Sequence, residues 1–445
     1  MPPNILFITI DSLRADRFYG KNRTCKTPNI DSLISKGMYC KNAVSSSDAT
    51  GITLGNFFTG KYSFKTGITL RNFNSKATTL FDILKLNGYS LYGLVPRLTW
   101  FNYLTKPFDE KKDFFCANMV QDDLSKIGNS IIEKLHSKKM NEPWLYYIHV
   151  EDLHEKIILP DDFNHEKYGK TEYDRMVSCV DNWIGLLLKE IDLNNTLLVL
   201  TADHGEYIPL VGENVGKIPE VQKIMRKGKN YFPIFEPLGL KLFIMIRDLV
   251  KSYRVKKIKK NLSEYELRAL KERRGAQTLY DETNRIPILF VGDGIKKSLM
   301  IDGLVGSVDI FPTILSILGL KFDKSNLDGQ NLSVALTGKE IQNKPLYIES
   351  SDSEEFQSGF IVGVRTSDYK YLRSKEDPKK HVSLFDLKHD PNEIHNLFEE
   401  KPEIVEMMEQ HLSNILDNNN IEQQSEISDE DEERIRQELK KMGYI

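Results

Sequence analysis

The stretch Thr196-Leu-Leu-Val-Leu-Thr-Ala-Asp-His-Gly-Glu206 limits the folds open to this chain, because an unbroken β-branched and aliphatic run stops on an acid beside an imidazole. Such a run, without alternation, suits an interior strand of a parallel sheet that is covered on both faces. Ligands of such sheets bind beyond the carboxyl ends of the strands, where Asp203 and His204 emerge. Past a strand end the chain turns, so neighbouring Asp and His side chains can converge on one cation. A turn with Asp203 as a helix cap is the plainer reading of the same residues.

The first strand repeats this layout. Asn4-Ile-Leu-Phe-Ile-Thr-Ile10 runs straight into Asp11-Ser-Leu-Arg-Ala-Asp16, which brings a second acid to the same sheet edge; capping the next helix is the alternative role of Asp11. Trp144-Leu-Tyr-Tyr-Ile-His-Val-Glu-Asp-Leu-His154 is a third apolar run with a polar carboxyl end. His149, inside that run, reads as a core histidine, and Asp152 as a group that holds His154. Met176, Val180, Trp183, Ile184, Leu187 and Leu188 recur at helical spacing and complete a strand, helix, strand unit. Small hydroxyl residues, Ser45, Ser46, Ser47 and Thr50, lead into a short helix closed at Thr59-Gly60.

At 445 residues, 40% hydrophobic and 28% charged, the chain has room for one large domain and a smaller one. A net charge of -3 provides no basic field, so nucleic acid is not an expected partner. The cysteines Cys25, Cys40, Cys116 and Cys179 have no CxxC spacing and read as reduced thiols. No basic leader precedes the first strand, itself too short to span a bilayer, and the expectation is a cytoplasmic protein. Beyond residue 340 the alternation of Tyr347-Ile-Glu, Phe360-Ile-Val-Gly-Val-Arg, Tyr369-Lys-Tyr-Leu-Arg and Leu384-Phe-Asp-Leu is that of antiparallel strands. The expected division is a catalytic domain over 1–340 with a helical basic insertion at about 211–274, a C-terminal subdomain over 341–416, and an acidic linker with a terminal amphipathic segment over 417–445.

The segments Asp11-Ser-Leu-Arg-Ala-Asp16, Thr27-Pro-Asn-Ile-Asp31, Phe58-Thr-Gly-Lys-Tyr62 and Thr201-Ala-Asp-His-Gly-Glu206 come in an order that resembles the sulfatases of the alkaline phosphatase superfamily. Tyr280-Asp-Glu-Thr-Asn-Arg-Ile-Pro-Ile-Leu289, Val308-Asp-Ile-Phe-Pro-Thr-Ile-Leu315 and Leu384-Phe-Asp-Leu-Lys-His-Asp-Pro-Asn-Glu393 extend the resemblance over most of the chain. It implies an α/β fold, an alkaline phosphatase-like sandwich with a mainly parallel central sheet between helices, plus a smaller C-terminal antiparallel sheet. It also implies a nucleophile ten residues before the Gly of the Thr-Gly pair, which is Thr50. The family has Cys or Ser there, with Pro and Arg two and four positions on; this chain has Thr50, Ile52 and Leu54. A threonine cannot mature to formylglycine, so Thr50 resembles instead the phosphodiesterase and phosphoglycerol-transferase branches, where a metal-activated hydroxyl attacks.

The implied metal set is Asp11, Asp203 and His204 with the Thr50 oxygen, around one divalent ion, Mn or Ca. Ser12 replaces a second family Asp, which lowers the site's charge and favours a manganese-like ion. The family's Gly-Lys-x-His element is missing; the stretch from Gly88 to Trp100 offers only Arg97, whose alternative reading is a solvated surface arginine. Lys61, Arg97 and His154 are the candidates for binding substrate, and His154 also for protonating the leaving group. The function implied is a metal-dependent hydrolase of a sulfate or phosphate ester on a small molecule, glycan or lipid. A phosphoglycerol- or phosphoethanolamine-type transferase and a catalytically silent binding protein are the alternatives. In the insertion, Leu238 to Lys260 pairs an apolar stretch with a basic run, a helical lid or a peripheral membrane contact.

Overall fold

Asn4–Ile10 (β1) and Thr196–Thr201 (β6), both buried at every residue, lie side by side and parallel at the centre of an eight-stranded sheet. The computed structural model describes residues 2–21, 23–70, 72–114, 124–154, 157–208, 249, 252–253, 262–271, 278–351, 360–417 and 427–442. The other strands of this sheet are Met38–Val44 (β2), Ser90–Pro96 (β3), Glu110–Phe114 (β4), Trp144–Val150 (β5), Ile288–Gly292 (β7) and Leu299–Gly306 (β8), in the order β4-β3-β5-β1-β6-β7-β2-β8. The pairings are parallel except those of β7, which runs antiparallel to β6 and β2. β1, β5 and β6 are apolar without alternation because helices cover both faces.

The helices that matter to the site are Thr50–Thr59 (α1), Thr99–Leu104 (α2), Glu172–Leu187 (α3), Ile310–Ile317 (α4), Pro402–Asp417 (α5) and Asp429–Met442 (α6). α1 is buried at all of its positions and ends on Gly60 in the left-handed region, φ 68°, where glycine carries no steric penalty. Its Phe58 ring lies among Phe7, Phe81 and Tyr147, at centroid distances of 5.4, 4.4 and 5.3 Å. Burying such a ring is worth about 2–3 kcal/mol, which fixes α1 on the sheet. α3 is the helix that the spacing of its apolar residues leads one to expect, and it opens with a capping box in which Thr171 and Asp174 satisfy each other's backbone N–H groups.

Leu346–Glu349 (β9), Ile361–Arg365 (β10), Tyr369–Ser374 (β11) and Ser383–Asp386 (β12) form a separate antiparallel sheet, in agreement with the expected fold class. One face packs on Val44 and Leu304 of the large sheet; on the other, Met408 and Leu412 of α5 meet Val362, Val364 and Leu384. Lys370, fully buried on β11, is held by Asp281 at 2.7 Å and Glu393 at 2.6 Å, so its charge is compensated inside the protein.

α6 starts inside the stretch read as an acidic linker. Asp429, Glu430, Asp431 and Glu432 fill its first turn, where carboxylates favour the positive end of the helix dipole, and Ser428 Oγ accepts from Asp431 N at 3.2 Å.

The chain forms two units, Met1–Glu206 with Arg274–Ile445, and Tyr207–Arg273. In the second, Ser263 caps the helix Glu264–Lys271 by exchanging hydrogen bonds with Glu266. The lid and membrane-contact readings of 238–260 fall almost wholly outside the described residues. Among the described residues, no helix is long and apolar enough to cross a membrane. Cys25, Cys40 and Cys179 are buried free thiols; Cys116 lies outside the described residues.

Candidate active site

Parallel register carries three acids to one level of the sheet edge. Thr9 stands opposite Thr201 on one side and His149 on the other, so two residues further on Asp11, Asp203 and Glu151 emerge together. All three are buried, as are His149 and His204.

Ser12 holds two of these acids. Its φ of 63° places a non-glycine residue in the left-handed region and turns its N–H to Asp203 Oδ1, 3.2 Å away, while its hydroxyl donates to Asp11 Oδ1 at 2.7 Å. Asp203 Oδ1 accepts a second bond from the N–H of His204 at 2.8 Å. His204 Nδ1 lies 2.8 Å from the carbonyl oxygen of Gly205. A carbonyl only accepts, so Nδ1 carries the proton and Nε2 presents its lone pair to the site. That nitrogen is 3.4 Å from Asp203 Oδ2, 3.7 Å from Asp11 Oδ1 and 3.3 Å from Thr50 Oγ1. Gly205 is required by close approach: a Cβ there would stand 2.0 Å from the carbonyl oxygen of Glu282.

These residues fit a divalent cation. Asp203 Oδ2 is buried and takes no hydrogen bond, and Asp11, Asp203 and His204 offer two carboxylates and an imidazole whose ligand atoms all lie within 4.8 Å of one another. Buried carboxylates gathered without a cation repel each other.

Thr50 is the first residue of α1. It lines a cavity of about 20 Å³ together with Asp11, Glu151 and His154 and the apolar Leu70, Leu98, Trp100 and Leu439. That volume holds about one water. The neighbouring hydroxyls are engaged elsewhere: Ser45 bonds Thr53 Oγ1 and the carbonyl of Ser47, Ser46 bonds Ser307, and Ser47 Oγ accepts from Ala49 N. The loop that carries them is braced by the second sheet, through Glu349 N to the carbonyl of Ser46 and Ser351 N to Asp48 Oδ1, each 2.9 Å. Glu349 is pushed up to about 7 by burial, against the opposing pull of the Ser63 hydroxyl, Lys375 and the Tyr347 hydroxyl.

α6 closes the cavity from the far end of the chain. Ile435 and Leu439 pack with Ala49, Ile52 and Leu70. Glu438 accepts from both the N–H and the hydroxyl of Thr99, at 2.8 and 2.9 Å, and Asp431 accepts from the Tyr103 hydroxyl at 2.6 Å.

Asp11, Thr50 and His154 line the cavity, Asp203 and His204 gather beside Asp11, with His204 near Thr50, and two other candidates do not line the cavity. Lys61 follows the carboxyl end of α1, about 15 Å along the helix from Thr50. Arg97 is exposed and lies 3.8 Å from Asp113, while its neighbour Leu98 turns inward. Asp152 is likewise outside the lining. His149 is buried, as a core histidine is, while Glu151 and the terminal helix join the site without a sequence expectation that places them there. The pattern His149-x-Glu151 at the end of a strand was the available signal, since alternate residues share a face.

The large mixed sheet between helices and the separate four-stranded antiparallel sheet make an alkaline phosphatase-like fold, with acids gathered at the carboxyl edge of the large sheet. The family model described as Sulfatase matches residues 3–320, and one described as N-sulphoglucosamine sulphohydrolase, C-terminal, matches residues 275–420. The chain belongs to the sulfatase family. Arylsulfatase K of Mus musculus is 30% identical over 145 residues, a match covering 31% of this chain and only 26% of that protein. The ulvan-active sulfatase of Formosa agariphila is 23% identical over 508 residues, covering 100% of this chain and 85% of that one. The crystal structure of the phosphonate monoester hydrolase of Agrobacterium radiobacter superposes with a TM-score of 0.67 at 14% identity, covering 93% of this chain and 95% of the other.

Proposed function

We propose that this chain is a metal-dependent hydrolase of sulfate or phosphate-type esters with Thr50 as its nucleophile. The observation that carries this reading is Thr50, which lines the cavity with Asp11 and whose hydroxyl stands 3.3 Å from His204 Nε2. A hydroxyl is a weak nucleophile until its pKa is lowered. When bound by Asp11, Asp203 and His204, a divalent cation supplies that activation and neutralises charge developing at the tetrahedral centre. Thr50 also stands at the amino end of α1, where the helix dipole favours an anion. Its Oγ, giving up its proton to water, attacks the sulfur or phosphorus in line as the bond to the leaving oxygen breaks; His154 hands a proton to that oxygen, and water hydrolyses the intermediate and frees Thr50. Leu70, Leu98, Trp100 and Leu439 exclude bulk water and seat the apolar part of the ester. Relatives named as sulfatases and a structural neighbour named as a phosphonate monoester hydrolase support this ester class, on a small molecule or a glycan.

The test is a panel of aryl sulfate, phosphate monoester, phosphodiester and phosphonate substrates, assayed with added manganese or calcium and with and without an alcohol acceptor. Turnover of one ester class that depends on the cation and on Thr50 is expected. A chain inactive on every ester with both ions is a binding protein and not this hydrolase, and a product carrying the added alcohol makes it a transferase.

A further inference from the structure

Ser12 bonds two of the site's carboxylates from a backbone conformation that a serine seldom adopts, φ 63°. Tyr173, in the first turn of α3, reaches this same turn from outside the cavity. It is buried, and its hydroxyl oxygen lies 2.6 Å from the carbonyl oxygen of Ser12 and 2.9 Å from the backbone nitrogen of Arg14. A carbonyl only accepts and an N–H only donates, so the phenol donates to the first and accepts from the second. One oxygen thus spans two successive peptide groups of the turn that leaves β1, although 161 and 159 positions separate the partners in the chain.

α3 has anchors besides this phenol. Thr171 and Asp174 cap it, the Thr24 hydroxyl donates to Asp174 at 2.7 Å, and Ser178 Oγ accepts from the N–H of Lys26 at 2.7 Å. The helix is therefore a fixed support from which the phenol reaches the turn. Arg14 ties the turn to the chain beyond β6 as well, by donating from Nη1 to the carbonyl oxygen of Glu206 at 3.2 Å. Without the phenol oxygen, the Ser12 carbonyl and the Arg14 N–H, both in buried residues, each lose a partner. Leaving such groups unpaired inside the protein is costly, so the turn relaxes toward other partners. Ser12 cannot turn without drawing its N–H from Asp203 and its hydroxyl from Asp11.

We infer that Tyr173 is a positioning residue for the carboxylate pair: its hydroxyl locks the left-handed turn at Ser12 and, through Ser12, the directions of Asp11 and Asp203. The inference rests on the proposed cation site of Asp11, Asp203 and His204. Tyr173 is not part of the cavity wall, so it acts on cation affinity and on the geometry of Ser12, not on the reacting atoms.

The experiment removes the phenol oxygen alone. Affinity for Mn²⁺, and for Ca²⁺ as a second probe, is measured by titration calorimetry on the full chain as wild type, Tyr173→Phe and Ser178→Ala. Ser178→Ala loosens the docking of α3 without touching the turn. In Tyr173→Phe the Kd is expected to rise about tenfold, the low end of what outer partners of metal ligands contribute, while Ser178→Ala keeps the wild-type Kd. The kcat of Tyr173→Phe should fall at limiting cation and recover at saturating cation. Its crystals should show Ser12 turned away from Asp11 or Asp203. An unchanged Kd in Tyr173→Phe, an equal rise in Ser178→Ala, or a raised Kd with Ser12 unmoved overturns the inference and leaves the cation site standing. A wild-type chain that binds neither ion overturns the cation site and the inference with it. Should Tyr173→Phe fail to fold, crystals of the wild-type chain with Mn²⁺ decide: the Tyr173 oxygen between Ser12 and Arg14 with Ser12 left-handed supports the inference, and a Tyr173 out of reach of Ser12 overturns it.

Discussion

Thr50 Oγ1 lies 3.3 Å from Nε2 of His204, although 154 positions separate them in the chain. If this hydroxyl forms the covalent bond, Thr50→Ala lowers kcat by on the order of 10³-fold or more while fold and metal content persist. Thr50→Ser keeps part of the activity, because the hydroxyl remains and only the methyl that restricts χ1 is lost. Mass spectrometry of enzyme quenched during turnover should find the sulfuryl or phosphoryl mass on the peptide with Thr50. An adduct on Ser45, Ser46 or Ser47 would refute the assignment, and their existing hydrogen bonds argue against it.

Ser12 donates to the carboxylates of Asp11 and Asp203 and so sets their orientation. Ser12→Ala removes the hydroxyl bond to Asp11 but keeps the backbone bond to Asp203. Metal affinity is expected to fall by roughly 10–100-fold, with kcat close to wild type once metal is saturating. Titration calorimetry with Mn²⁺ measures this directly, and unchanged affinity would show that the hydroxyl is not a positioning group.

Leu439 of α6 lines the cavity beside Thr50, which has room for about one water, so α6 limits the size of the ester that fits. A chain ending at Asp417, or Leu439→Asp in the full chain, should raise kcat/KM for a bulky aryl ester relative to a small one by several-fold. Both variants should act alike, since both free the same wall. An unchanged ratio would show that substrate reaches Thr50 by another route.

Glu349 links acidity to stability. Burial raises its folded-state pKa to about 7 from the ordinary 4.5, so the native state holds this proton more tightly than the unfolded chain does. The contribution of Glu349 to stability is therefore greatest below pH 4.5, falls as pH rises from 4.5 to about 7, and is level above, with a total cost of about 3 kcal/mol at most. Glu349→Gln should remove that slope and melt above wild type at pH 8. Urea unfolding at pH 5, 6, 7 and 8 provides the comparison, and parallel curves for the two proteins would count against it.

Local pattern alone determined a good deal here: the unbroken apolar runs marked β1, β5 and β6 as interior strands, and the residues just past their ends marked the edge where Asp11, Asp203 and His204 emerge. The alternation beyond residue 340 announced the second sheet, whereas Thr50, the first residue of α1, was reached only through the family resemblance and its count back from Gly60. These features are legible because periodicity and strand ends are properties of a few adjacent residues. Tertiary structure alone decided which distant groups meet. His149 and Glu151 join Asp11 only through the register of β5 against β1, an alignment of segments about 140 residues apart set by packing across the whole sheet. Arg97 turns outward while Leu98 turns in, and α6 returns from the far end of the chain to lay Leu439 beside Thr50. A long-range docking of that kind leaves only an amphipathic stripe in the sequence, which says that a face will be buried and not against what.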